Sequence, residues 1–171
     1  MFNIESLKSL GEPLKTFNYE VFIPSVPGGG DGNQLRFYVD QASIPAIGSE
    51  QVPVFAGGHE LRYAGRGIYT HDWTIGIRAY ENDEALSTLR NWHALQWNRV
   101  EGTQVPATEY KTSIFLHMLG GDGSIIHQWK ILGAFIANIG EVPLSPDNSN
   151  VIIIPVTFGF DNFENISFRQ P

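Results

Sequence analysis

The sequence predicts a β-structure with one flanking helix. Two observations lead to that reading. From Tyr69 to Tyr80 the residues alternate, with Trp73, Ile75, Ile77 and Ala79 on one side and Asp72, Thr74, Gly76 and Arg78 on the other, the period of a half-buried strand. From residue 83 to 98 apolar residues recur at spacings of three and four, the one convincing helical pattern in the chain. Everything else reads as β-strand or loop.

The chain has 171 residues, enough for one domain with a real core. No repeat or domain boundary divides it, so residues 1–171 are taken as a single domain. It contains no cysteine, which removes disulfides and thiolate metal sites. No apolar run approaches the ~20 residues of a membrane helix, and the N-terminal Met1-Phe2-Asn3-Ile4-Glu5 lacks the layout of a secretory signal, so no membrane anchor is expected. The formal net charge is −7 and the basic residues are scattered, which argues against specific binding to a nucleic-acid backbone.

Residues 1–12, with Phe2, Ile4, Leu7 and Leu10, suit an N-terminal arm that a partner would hold. Phe17 to Ile23 alternates and is closed by Pro24, which cannot donate to a ladder. After a Gly-rich loop, Leu35, Phe37 and Val39 alternate with Arg36, Tyr38 and Asp40, predicting a second strand in an antiparallel hairpin with the first. Residues 42–67 break the rhythm. This long inter-strand loop holds Pro45, Pro53, Gly57, Gly58, Gly65 and Gly67, apolar Val52, Val54 and Phe55, and the arginines Arg62 and Arg66. A connection of well over about 15 residues is commonly functional, and apolar residues between charged ends suit a protein–protein contact.

The helix expected over 83–98 has Asn82 as a candidate cap, with Asp83 and Glu84 in its first turn, where exposed backbone N–H groups favour negative charge. Leu86, Leu89, His93 and Trp97 form its apolar stripe, with Ala85 and Trp92 beside it, Arg90 and Arg99 on the polar side or near the end, and Gly102 as its stop. Tyr110–Leu119 and Ser124–Leu132 read as a hairpin around Gly120-Gly121-Asp122-Gly123. The apolar pattern continues from Ala134 to Ile139 past Gly133, which marks a bulge or bend. A polar loop with Pro143 and Pro146 leads to a last strand, Val151–Phe160.

Chemistry is sparse. His117 and His127 flank the Gly120 turn and would face each other across the hairpin, but a third metal ligand is missing. His93 reads as a hydrogen-bonded core residue. Gly28-Gly29-Gly30 lacks the Lys-Ser/Thr of a phosphate loop, and no serine occupies a Gly-x-Ser-x-Gly elbow. Glu81, Asp83 and Glu84 are explained by helix-end electrostatics. No enzyme, metal or cofactor is expected. Two other classes stay open. One is a monomeric carbohydrate-binding β-module that stacks sugars on Trp73, Trp92, Trp97 and Trp129. The other is a hydrolase that uses Glu84 or His117.

The order of elements carries a resemblance. A hairpin is followed by Ala42-Ser43-Ile44-Pro45, then by a loop through Val52-Pro53-Val54-Phe55-Ala56-Gly57-Gly58 to Arg66-Gly67-Ile68-Tyr69. Trp73-Thr74-Ile75, the helix, the Gly120–Gly123 hairpin and a closing strand come next. Over about residues 15 to 165 this resembles the tail tube protein of contractile-tailed bacteriophages, and more loosely the inner tube subunits of related injection machines, including type VI-like systems. The Gly28–Asn33 segment and the tail after Phe163 are not matched.

The resemblance implies two packed, mostly antiparallel β-sheets with a flanking helix. Hexameric rings would join their sheets into one barrel and stack into a tube through which DNA passes on ejection without specific binding. The long loop, Val54, Phe55, Arg62 and Arg66 included, would contact neighbouring subunits and rings. Partners would be the sheath, tape-measure, baseplate and tail-terminator proteins, and the location a virion tail assembled in the host cytoplasm. A bore lined with carboxylates would repel DNA; Glu20, Asp72 and Glu109 are the candidates, from the polar faces of their predicted strands.

Overall fold

The computed structural model describes residues 13–82, 84–98, 100–145, 147 and 149–167. The expected N-terminal arm (1–12), Asp83, Arg99 and Pro146 lie outside them.

Eleven strands and three helical segments follow one another in these residues: β1 (Tyr19–Phe22), α1 (Gly32–Leu35), β2 (Val39–Ala42), β3 (Gly48–Ala56), β4 (His59–Ile68), β5 (Asp72–Arg78), α2 (Glu84–Leu95), β6 (Trp97–Asn98), β7 (Thr103–Gln104), α3 (Ala107–Tyr110), β8 (Thr112–Leu119), β9 (Ile125–Ile139), β10 (Ile153–Gly159) and β11 (Asn162–Ser167). Two antiparallel sheets share the long strand β9. Its first half pairs with β8 and β11, and β1 extends that sheet beyond β8. Its second half pairs with β10, which pairs with β5, which pairs with β2.

The bend between the two halves is at Gly133, whose φ of 65° lies in the left-handed region. On the partner side β10 and β11 run consecutively along one edge of β9 and break at the same level. Phe160 N–H turns to His71 O at 2.9 Å and Asp161 N–H to Leu132 O at 3.0 Å. The bulge expected at Gly133 is therefore the corner at which one sheet becomes two. β11 has no counterpart in the sequence reading. Its Asn162-Phe-Glu-Asn-Ile-Ser run is too polar to signal a strand, and it is held by pairing with β9.

The inward faces of both sheets meet in one core. Val21, Ile114, Leu116 and Ile131 come from one sheet, and Ile75, Ile77, Ile136, Val156 and Phe158 from the other. The alternation that predicts β5 is borne out, with Trp73, Ile75 and Ile77 buried between exposed Asp72, Thr74 and Arg78. Helix α2 closes the core with Ala85, Leu89 and Trp92, spaced at four and three. Trp92 stacks obliquely on Phe158 at 5.6 Å and donates its indole N–H to Tyr110 O at 2.7 Å. Burying Leu89 and Trp92 stabilises the helix–sheet contact by roughly 1.5–3 kcal/mol each.

Several expectations need correction. α2 ends at Leu95, not 98, and Gly102 (φ 66°) sits in the small β6–β7 turn beyond it. The apolar stripe runs through Ala85, Leu89 and Trp92, with Leu86 half-buried. His93 is exposed and is no core residue, and Trp97 is 51% exposed in β6. The physical reason is phase. Leu89 and Trp92 point at the sheet, so His93 turns about 100° further round, and the chain leaves the helix before reaching Trp97. Asn82 lies in a turn, where its amide donates to the Tyr38 hydroxyl at 3.2 Å.

The β1–β2 hairpin does not form. Asp31 accepts the Asn33 N–H at 2.9 Å and opens the short turn of helix α1, so Leu35 is buried from a helical backbone and Phe37 is exposed. β1 takes β8 as its partner and β2 takes β5. The two strands end the sheet on opposite sides and come close together without pairing. An Arg36–Glu20 ion pair at 3.2 Å links the chain just before β2 to β1. Each strand thus presents one row of backbone groups with no neighbouring strand among the described residues.

Candidate assembly surface

Residues 42–67 are not a structureless loop. Most of them form a two-stranded antiparallel ribbon, β3 with β4, that pairs with neither sheet. Gly57 and Gly58 make its two-residue turn, with φ of 59° and 80°, so both central positions are left-handed as a tight hairpin turn requires. Ala56 and His59 close the ladder around them. The Gly-Gly signal was present in the sequence. The two strands were obscured by Pro53 and by the glycines of β4, which break the alternation.

Among the described residues the ribbon is anchored at its base. Before it, Ser43 O accepts the indole N–H of buried Trp73 at 2.7 Å. After it, Tyr69 stacks on Phe160 (6.4 Å) and meets Phe163 edge-on (5.7 Å). Every residue from Gly48 to Ile68 is exposed. An isolated two-stranded ribbon is marginal in water, and this one holds apolar side chains in the open.

The register sorts these side chains into two faces. Val52 lies opposite Tyr63 and Val54 opposite Leu61, forming an apolar face. Pro53 lies opposite Arg62 and Phe55 opposite Glu60, forming a mixed face. On that face Arg62 donates to Glu60 at 2.9 Å and to Gln51 at 2.9 Å. A register shift between Ser49 and Gln51 places Glu50 3.6 Å from Arg66. Of the four residues singled out in the sequence, Phe55 and Arg62 therefore share a face, Val54 lies on the other, and Arg66 sits at the irregular base. Phe55 is 76% exposed, so it does not fold back onto its own domain.

The candidate bore carboxylates are not brought together. Glu20 is on β1, beside inward-pointing Val21, and faces Arg36 and the cross-strand His117. Asp72 begins β5 on the other sheet, beside inward-pointing Trp73. Glu109 is not on a strand at all but in the helical turn α3, because Pro106 starts that turn before β8 begins. The two histidines of the Gly120 hairpin also part. Met118 pairs with His127 and His117 with Gln128, and that one-residue offset puts the rings on opposite faces of the sheet. His117 lies among Phe22 and Phe115, and His127 beside Trp129. Burial lowers the His117 pKa below its ordinary value, and Glu20 partly opposes this. Three of the four tryptophans offered as sugar platforms, Trp73, Trp92 and Trp129, are core residues, which leaves Trp97 alone at the surface.

No protein-family model and no curated protein sequence matches the chain. Solved structures do. The chain is similar to the sheath/tube terminator of an extracellular contractile injection system, PVC, in the extended state, with a TM-score of 0.68, 16% identity and coverage of 92% of this chain and 99% of that one. It is similar to a chain of the extended PVC sheath–tube complex, with a TM-score of 0.66, 13% identity and coverage of 98% and 99%. It is also similar to the tube-terminating cap of the anti-feeding prophage, with a TM-score of 0.65, 14% identity and coverage of 91% and 92%. At such identities the likeness is one of fold. The chain has the fold found in tube and cap assemblies of contractile systems, in line with the resemblance carried by its element order.

Proposed function

We propose that this chain is a structural, non-enzymatic subunit of the inner tube of a contractile machine. Copies would join in hexameric rings that stack into a hollow conduit inside a sheath. One observation carries the reading. A fold shared over more than nine-tenths of its length with chains of tube and cap assemblies holds out a ribbon with an apolar face that nothing among the described residues covers. Monomeric proteins seldom keep such a surface bare, and a second copy is the economical cover. The open borders of β1 and β2 argue the same way, because an unpaired sheet edge invites pairing with another chain and a barrel closed across subunits removes it.

In this reading the ribbon reaches the neighbouring subunit and the adjacent ring, with Val54, Phe55, Arg62 and Arg66 in the contacts. The sheath packs outside, a tape-measure protein fills the bore before DNA does, and baseplate and terminator proteins close the ends. DNA, at one charge per ~1.7 Å of axis, passes without specific binding because the protein carries net negative charge. Glu20 and Asp72 point outward from different sheets, so they are alternative contributors to a bore, and Glu109 stands apart from both. A phage tail and an extracellular injection system use this architecture equally well, and a sheath gene beside capsid genes would identify a phage.

Electron microscopy of the purified protein tests the proposal. Hexameric rings or tubes on the order of 100 Å across are expected, from ordinary domain dimensions. Rings that never stack would assign the chain to a terminator, the second reading favoured by the terminator and cap similarities. A protein that stays monomeric at high concentration, with and without baseplate partners, would overturn it. In tubes, the double change Arg62→Glu and Arg66→Glu should abolish polymerisation with the monomer still folded, since exposed ion pairs contribute about 0–1 kcal/mol each.

A further inference from the structure

The surface of the body carries an open cleft of about 680 Å³ between α1 and the turn before α2, lined by Gln34, Phe37, Tyr38, Tyr80, Glu81 and Asn82. Tyr38 and Tyr80 meet edge to face at 5.2 Å. Phe37 and Tyr80 are both largely exposed, and the Arg36 guanidinium covers one side of the Phe37 ring at 4.7 Å. Three aromatic rings around a space of this size make a receptor for another large apolar side chain, and Glu81 supplies a carboxylate at its rim.

We propose that Phe55 of one copy seats in this cleft of a neighbouring copy, with Arg62 brought beside Glu81; the inference rests on the tube-subunit reading and names the receptor of its ribbon. Phe55 is the most exposed large apolar residue of the ribbon and stands beside its turn. Arg62 lies diagonally across the ladder from it on the same face, roughly 7–8 Å away, so one rigid ribbon presents an aromatic anchor and a cation together. The cleft presents aromatic walls and an anion.

The Arg62–Glu81 pairing is the complementary charge contact, and net charge does not oppose a second copy as the occupant. From Gly48 to Ile68 the ribbon holds Glu50, Glu60, Arg62 and Arg66, a net of zero, so the whole net charge of −7 resides in the remainder of the chain. The ribbon can approach an acidic body without the repulsion that would oppose body against body. Knob and cleft are also different patches of one chain. Their pairing is heterologous, a head-to-tail contact that closes into rings or propagates as a filament, unlike a self-complementary dimer.

The chain has no cysteine, so cross-linking reads the contact without background. Glu60, across the ladder from Phe55, and Gln34, in the cleft wall, are changed together (E60C/Q34C), which leaves the anchor in place. Mild oxidation of the assembled protein should give a covalent ladder of protomers. The control V54C/Q34C, on the opposite ribbon face, should give none. Adding Phe55→Ala or Tyr80→Ala should cut ladder yield by about tenfold or more, the effect of removing an anchor worth at least 1.4 kcal/mol. Tubes or rings without the E60C/Q34C ladder would overturn the cleft assignment while the tube reading stands. A ladder insensitive to Phe55→Ala would overturn Phe55 as the anchor. Failure of the unmodified chain to assemble at all would remove both.

Discussion

Val54 and Phe55 are adjacent in the chain and lie on opposite faces of the β3–β4 ribbon, Val54 across from Leu61 and Phe55 across from Glu60. A single peptide unit thus serves two surfaces. One is a mainly apolar strip with Val52, Leu61 and Tyr63, and the other is an aromatic anchor among charged groups.

The apolar strip predicts a separation of folding from assembly. Val54→Asp combined with Leu61→Asp should leave the unfolding free energy of the monomer within about 0.5 kcal/mol of the parent, because exposed positions contribute little to stability. The same variant should lose rings and tubes by sedimentation and microscopy. Normal tubes from it would show that this strip is not an interface.

The ribbon turn predicts a second dissociation. Gly57 and Gly58 have open space around an added Cβ, but both adopt positive φ. Alanine at both positions should strain the turn by about 1–2 kcal/mol per residue. The core does not touch the turn, so calorimetry should report an unchanged main transition. Amide exchange should rise in β3 and β4, and assembly should weaken.

Gly133 is the contrasting glycine. Its φ is also positive, and a Cβ there would collide with the Asp161 carboxylate that Lys111 holds at 2.8 Å. Gly133→Ala should destabilise the body itself by about 2 kcal/mol or more. That corresponds to a fall in melting temperature of roughly 4–8 °C for a chain of this size. An unchanged melting temperature would show that the sheet corner does not depend on this backbone conformation.

His117 predicts the direction of a pH effect. Burial against Phe22 and Phe115 lowers its pKa below the ordinary 6.5, and Glu20 across the β1–β8 pair pulls it back in part. The unfolded chain therefore takes up the proton first as pH falls. The contribution of the neutral ring is present in full above 6.5 and is lost as pH drops through the folded-state value. Melting curves of the parent should lose stability over this window more steeply than those of His117→Gln. Equal losses would place the acid sensitivity elsewhere.

Local pattern was enough to locate β5, β8, β9 and β10. Their inward residues alternate, in β9 separately on each side of Gly133, and the same period of two decides burial wherever a sheet covers one core. It also placed the helix and anticipated the corner at Gly133. It could not decide pairing. Leu35, Phe37 and Val39 alternate like a strand, yet Asp31 starts a helical turn and β1 finds its partner nearly a hundred residues away in β8. Nor does it phase the helix: the spacing alone puts His93 and Trp97 on the buried side, where Leu89 and Trp92 pack against the sheet.

The sequence by itself determined that this is a β-domain with one helix, no thiol and an apolar insertion rich in turn residues, because these follow from residue type and short-range period. Only the tertiary structure decided that the insertion is a ribbon with two different faces, and that Phe37, Tyr38 and Tyr80 surround one cleft. Strand register and the meeting of distant segments depend on which partners a core can satisfy together, and no local run of residues carries that information.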